Sequence, residues 1–223
     1  MLNCYQLKLP SLPFELEKAL IQVAEIFNVG DGYNPTSMDE IGKDLQNWFD
    51  FHEETKTTLT TYNAYPIPES LHRRIHAEMT DQLFPFSKVS FYFQFISGGE
   101  HLMPHRDPDP GSGERKSSIL YNLSADNAIT DFYKTSSTDP SKYLYSLHEI
   151  EKVESFQMLP SKWHSFNNAA IHGVSQIFKN RLAITCNLNM HPDLELPDYS
   201  AFCEQYKHLL VHPDGLEPPT FAV

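Results

Sequence analysis

Apolar residues recur at Phe14, Leu16, Leu20, Ile21, Val23, Ala24 and Phe27. That spacing covers one face of a helix, which Gly30-Asp31-Gly32 then breaks. Leu71, Ile75, Met79 and Leu83 predict a second helix over 70–83, starting near Glu69 or Ser70. Between them, Thr57 to Tyr65 is rich in Thr and Tyr and reads as a strand ended by Pro66. After Pro85 the pattern changes to short β-rich runs: Val89–Ile96, Ser117–Ser124, Ile129–Lys134, Lys142–Ser146, Val153–Leu159, His172–Phe178 and Arg181–Met190. Gly, Pro, Asn and Ser clusters punctuate these runs, a texture that predicts a sandwich or barrel. The expected fold class is mainly β with flanking α. One domain spans 1–211, with a β core over about 86–191 and an N-terminal α/β layer over 1–85; residues 212–223 read as an irregular tail.

Composition narrows the function. Of 223 residues, 40% are hydrophobic, enough for a core, and the formal net charge of -12 offers no basic excess. Displacing phosphate counterions needs such an excess, so no nucleic-acid partner is expected. No run of about eighteen apolar residues exists, so no membrane span is expected either. The first residues lack a basic start followed by an apolar stretch, and Cys4, Cys186 and Cys203 are too scattered for a disulfide framework. A reducing, cytoplasmic setting is the expectation.

Eleven histidines raise the question of a metal. His-x-Asp/Glu pairs occur at His52/Glu54, His76/Glu78, His105/Asp107, His191/Asp193 and His212/Asp214. Random placement gives roughly one or two, so context must choose. His76 and Glu78 diverge on a helix, His52/Glu54 lies in a polar run, and the last two pairs leave little chain to return a third ligand. His105-Arg106-Asp107 is different. On extended backbone, residues two apart point the same way, and His172 opens a later strand. Two imidazoles and a carboxylate form a facial set that suits ferrous iron and leaves positions open for O2 and a bidentate co-substrate. Arg181, nine residues on, opens a core strand, where a guanidinium needs an anion. It is placed to hold the far carboxylate of a dicarboxylic co-substrate, or else to pair with one of the chain's own acids.

Several residues carry weaker signals. Tyr92 and Gln94 share one face of their strand and Phe91, Phe93 and Phe95 the other; one face is core and the other a candidate pocket wall. Arg106, Tyr133 and Trp163 are candidate substrate-pocket residues. Trp163 and His164 precede the distal ligand, near the expected entrance, although packing is the commoner role there. His101 reads as a surface residue in a loop.

From about Phe91 to Asn189 the chain resembles the 2-oxoglutarate- and Fe(II)-dependent oxygenases, similar in texture to the prolyl-hydroxylase-like branch. The resemblance rests on His105-x-Asp107, Ile119-Leu120-Tyr121-Asn122-Leu123, Asp131-Phe132-Tyr133, Met158-Leu159-Pro160, Ser165-Phe166-Asn167, and His172-Gly173-Val174 with Arg181 following. It implies a double-stranded β-helix, or jelly-roll. It also implies Fe(II) on His105, Asp107 and His172, and Arg181 on the C5 carboxylate of 2-oxoglutarate. O2 is then the second co-substrate, and hydroxylation is coupled to release of succinate and CO2. The family's tyrosines near the site are replaced by Phe95, Leu102 and Asn122, so Asn122, or Tyr121 in a register shifted by one, is the candidate co-substrate contact, with Tyr92. Ala128-Ile129-Thr130 stands where the family has a Gly-Gly. These departures leave the substrate open between a protein side chain such as prolyl and a small metabolite. A non-catalytic jelly-roll binding module, or a cupin-type metal enzyme recruiting His101 and not using 2-oxoglutarate, are the competing functions; the oligomeric state is open.

Overall fold

The computed structural model describes residues 1–29, 62–96, 101–107, 116–124, 127–139, 142, 144–188 and 191–212. Two antiparallel sheets face each other. The strands are β1 (Cys4–Leu7), β2 (Tyr62–Pro66), β3 (Tyr92–Ile96), β4 (His101–His105), β5 (Ser117–Asn122), β6 (Ile129–Thr135), β7 (Ile150–Gln157), β8 (Trp163–Asn167), β9 (Ile171–Ser175), β10 (Arg181–Asn187) and β11 (Leu210–Val211). Among the described residues, the major sheet has seven strands in the order β11-β1-β8-β5-β10-β3-β2, and the minor sheet four, β4-β9-β6-β7. This is the jelly-roll-like architecture the sequence pattern predicts. The segment read as an N-terminal layer contributes directly to the sheet, since β1 lies between β11 and β8 and β2 forms an edge against β3.

Alternation along the strands separates two environments. Phe93, Phe95, Ile119, Tyr121, Trp163, Ile184 and Cys186 project from the outer face of the major sheet into one apolar cluster. Three helices also contribute to it: α1 (Phe14–Val29), α2 (Glu69–Glu78) and α3 (Tyr199–Gln205). Leu16, Leu20 and Ala24 of α1, Leu71 and Ile75 of α2, and Phe202 of α3 are buried there. Phe14, expected on the buried face, is 72% exposed, and Leu83 is 41% exposed because α2 ends at Glu78. The inner face packs Leu120 and Phe166 against Phe132 and Phe156 of the minor sheet.

Of the expected strands, the described part of Lys142–Ser146 forms a bridge between Leu144 and His105 rather than a strand. His101 lies in β4 rather than in a loop. The 57–61 part of the strand expected over Thr57–Tyr65, His52/Glu54 and the tail beyond His212 lie outside the described residues. Among the described residues, no helix is long and apolar enough to cross a membrane.

Candidate metal centre

β4 and β9 pair so that His105 stands opposite His172, with ring centroids 4.4 Å apart. A register shift between Leu102 and His105 and Pro104, tolerated because β4 is an edge strand, re-aim the end of β4 toward its neighbour. The strands cross very closely. A Cβ on Gly173 would sit 2.9 Å from the Leu102 carbonyl oxygen and 3.3 Å from the Pro104 nitrogen, so glycine beside His172 lets β4 bring His105 into place.

Both imidazoles are oriented by backbone. His105 Nδ1 lies 2.8 Å from the Met103 carbonyl oxygen, and His172 Nδ1 lies 2.9 Å from that of Ala170. A carbonyl only accepts, so each Nδ1 carries a proton, and in the neutral ring Nε2 is the nitrogen with a lone pair for the site. Just past β4, Asp107 places Oδ1 3.5 Å from His105 Nε2. Its backbone N–H donates to the Asn168 carbonyl at 3.3 Å, and the Asn168 side-chain amide donates to Oδ2. Donor atoms of His105, Asp107 and His172 all lie within 4.8 Å of one another, the one such cluster among the described residues.

The electrostatics suit a cation. Burial, with help from His105 and Arg181, lowers the His172 pKa to about 4, against the opposing pull of Asp107 and the Ala170 carbonyl. Burial disfavours charge on Asp107, but the His105 hydrogen bond, both imidazoles and Asn168 outweigh it and hold the carboxyl below its usual range. Burial likewise opposes a proton on His105, and Asp107 and the Met103 carbonyl overcome it, so this imidazole is raised. Two imidazoles presenting Nε2 and an ionised carboxylate, beside the rings of Phe166, 4.8 Å from that of His172, and Phe132, 6.1 Å from it, match the donor set of a 2-His-1-carboxylate centre. Asn168, which the sequence reading did not single out, supplies the kind of outer hydrogen bond such ligands need. The one signal for it was a second polar amide, after Asn167, directly beyond a strand.

The other expected site residues divide by strand face. Arg181 faces the interior, 5% exposed, with Nη2 donating to the Met158 sulfur at 2.8 Å and Nη1 3.5 Å from Thr130 Oγ1. Thr130 and Phe132 alternate onto that same inner face. Tyr92 is on the inner face too, opposite Thr185, at the other end of β10 from Arg181. Asn122 faces inward opposite Ala183, but its amide donates to the Met158 carbonyl at 3.1 Å and accepts from Ser124 N–H and Oγ at 3.3 and 3.1 Å.

Tyr121 and Trp163 point to the opposite side. The Tyr121 hydroxyl accepts from Leu12 N–H at 3.0 Å and donates to Glu17. The Trp163 indole donates to the Pro10 carbonyl at 3.0 Å and packs on Tyr121, 4.8 Å between centroids. The structure therefore gives the register in which Asn122, not Tyr121, faces inward; a one-residue change flips the face. Tyr133 alternates away from Phe132 and His172 onto the side of Asp131, whose charge, after burial, raises its pKa. Arg106 alternates away from its two neighbours, its guanidinium 5.9 Å from the Tyr145 ring centroid. Neither Tyr133 nor Arg106 joins the inner pocket. His101 stands opposite Ser175, at the far end of β4 from His105, roughly 13 Å away in extended chain.

No family model matches the chain, and no curated protein does. Among solved structures, a Pseudomonas putida prolyl-4-hydroxylase is similar over 82% of this chain and 90% of its own, at 14% identity and a TM-score of 0.43. The epimerase SnoN, crystallised with Fe3+, alpha ketoglutarate and nogalamycin RO, is similar over 80% and 76%, at 11% identity and a TM-score of 0.46. Vicilin from Solanum melongena is similar over 58% of this chain and 28% of its own, at 10% identity and a TM-score of 0.33. All three scores lie below 0.5, and none bears on activity.

Proposed function

We propose that the chain is an Fe(II)- and 2-oxoglutarate-dependent dioxygenase that hydroxylates a protein side chain, such as prolyl, or a small metabolite, with release of succinate and CO2. The observation that carries this reading is the convergence of His105, Asp107 and His172 within 4.8 Å, with both Nδ1 atoms engaged by backbone carbonyls. These three side chains would hold Fe(II), and Arg181, deeper between the sheets, would hold the distal carboxylate of 2-oxoglutarate. Bound together, iron, O2 and 2-oxoglutarate supply the oxidising chemistry. The chain supplies the geometry: Asn168 fixes the carboxylate, the Met103 and Ala170 carbonyls fix the rings, and Phe132 and Phe166 pack against His172. The alternative with histidines added to the first cluster loses its candidate, because His101 lies at the other end of β4.

Anaerobic titration of the protein with Fe(II), with and without 2-oxoglutarate, tests the proposal. A weak visible charge-transfer band is expected in the wild type, absent in His172→Ala, and reached in Arg181→Ala only at about a hundredfold more 2-oxoglutarate, a loss in keeping with removing a charge-assisted bidentate contact. Folded, iron-loaded wild type that gives no band and forms no succinate would refute the use of 2-oxoglutarate.

A further inference from the structure

β2 ends against β3 at the pair Pro66–Tyr92. Beyond that pair the chain turns into α2, so the strand entering β3 loses its backbone neighbour on that edge. Alternate residues of an extended chain present their backbone groups to the same edge. Val89 and Phe91 therefore face the place that β2 has left, and two imidazoles of α2 fill it. His72 Nε2 accepts from Phe91 N–H at 3.0 Å, and His76 Nε2 lies 2.9 Å from the Val89 carbonyl oxygen. One helical turn brings the two rings to 4.5 Å between centroids. Both stand beside Phe91, at 6.1 and 6.2 Å.

The two contacts answer differently to a proton. A carbonyl only accepts, so His76 donates from Nε2–H, and a charged ring donates just as well. His72 accepts from an N–H, so its Nε2 carries no proton, and a charged ring has no lone pair for Phe91. Among the described residues, the groups that bear on this pair come from four places. On α2, Glu69 lies one turn before His72 and pairs with Arg73, and His76 lies one turn after. Asp81, in the turn beyond α2, is coupled to His76. From beyond β10, His191 Nε2 lies 3.4 Å from Ser90 N–H, with Asp193 acting on that ring. From β10, the Cys186 thiol also takes a hydrogen bond from Ser90, and burial pushes its pKa up to about 12, so it stays neutral. Burial first, then His76, lower the pKa of His72 against the opposing pull of Glu69.

We propose that His72 is an acid-sensitive catch: the neutral ring holds the first turn of α2 on the strand entering β3, and the protonated ring releases it while His76 keeps its hold. The released residue, Phe91, is buried and adjoins Tyr92, which faces the interior between the sheets. The sign follows from the lowered pKa. The held ring takes a proton less readily than the released one, which titrates at about 6.5, so release grows as pH falls through that range.

Amide hydrogen exchange of the full chain, divided by the intrinsic rate at each pH, gives the opening constant at Phe91. From pH 7 to pH 5 it should rise about tenfold or more. It should exceed the constant at Ile184, in the middle of the major sheet, throughout, which marks local release rather than global unfolding. His72→Gln keeps an acceptor near the Nε2 position that does not titrate, so its Phe91 constant should stay within about threefold over the same range. In wild type, a readout that needs no variant, the Phe91 amide proton should shift upfield with the midpoint at which the His72 ring nitrogens titrate. Equal constants at Phe91 and Ile184, a flat Phe91 profile, or a rise in His72→Gln matching the wild type would overturn the proposal. A His72 ring that charges while the Phe91 resonance stays still would overturn it too.

Discussion

Two pairs of histidine rings lie almost equally close in this molecule and serve different ends. His105 and His172 have ring centroids 4.4 Å apart; His72 and His76 on α2 have theirs 4.5 Å apart. In the first pair, Nδ1 of each ring donates to a carbonyl two residues upstream, and both Nε2 atoms are left for the pocket. In the second pair, the Nε2 atoms are already engaged. His72 Nε2 accepts from Phe91 N–H at 3.0 Å, and His76 Nε2 lies 2.9 Å from the Val89 carbonyl. His191 Nε2 lies 3.4 Å from Ser90 N–H in the same stretch. That set clips α2, and the segment after β10, to the chain entering β3. Ring proximity is shared; what separates a metal site from a structural clip is which nitrogen the backbone takes, and whether a carboxylate joins.

The sharpest test exchanges the pairs. His172→Ala should raise the Fe(II) or Co(II) dissociation constant by more than a thousandfold while the fold persists. His72→Ala should leave that constant within about twofold and instead cost about 1–3 kcal/mol in denaturant unfolding, because Phe91 N–H loses its acceptor. Metal loss in His72→Ala would erase the distinction. Next in size is Gly173→Ala. The new methyl would meet strand backbone, the Leu102 oxygen at 2.9 Å, which cannot swing aside. β4 must retreat with His105, so about 1–3 kcal/mol of stability and at least tenfold in Co(II) affinity should be lost together.

A third test uses acid. His164 accepts a backbone N–H and has its pKa pushed down to about 3 by burial and then by Arg181. An unfolded imidazole titrates near 6.5. The folded value is the lower one, so the unfolded chain binds the extra proton between the two values, and stability falls as pH falls through that window. The slope from this one group is about 1.4 kcal/mol per pH unit. Unfolding free energies of wild type and His164→Phe, followed from pH 7 to pH 4, should differ in slope by that amount; parallel curves would refute a neutral buried ring. The smallest effect is expected from Asn168→Ala. Freeing the Asp107 carboxylate from the Asn168 amide should weaken metal binding about tenfold, measured by competition with a chromophoric chelator, with His72 and its clip untouched.

The metal set was legible in sequence through the two-residue spacing of His105 and Asp107 at the end of a strand, although β4 itself stops at His105 and Asp107 stands in the bend just beyond it. Arg181 was legible for a similar reason, as a charge opening an otherwise apolar strand. The strands that escaped notice broke the alternation. β8, Trp163-His164-Ser165-Phe166-Asn167, is covered on both faces, and its buried His164 and Ser165 hide it from a hydrophobic pattern. β4 contains Pro104 and a register shift. β1 is four residues long and gains its place through partners far along the chain, β8 and β11. The face of Tyr121 and Trp163 stays open in the sequence because aromatic character says nothing about which face of a strand a residue occupies. Only the pairing of β5 with β8 and β10 settles that, and it sends both rings to the helices.

The carbonyls that hold His105 and His172 belong to residues two positions upstream, Met103 on β4 and Ala170 in the bend just before β9. The aim of each ring is thus encoded in three consecutive residues and asks nothing of the opposing sheet. The metal-free chain should accordingly present its imidazoles already oriented, so that capture of an ion orders few torsions. Such an X-x-His cassette is also portable: set at the end of any two neighbouring antiparallel strands, it would bring two aimed imidazoles together, leaving a graft to supply only the carboxylate and the small residue that lets the strands approach.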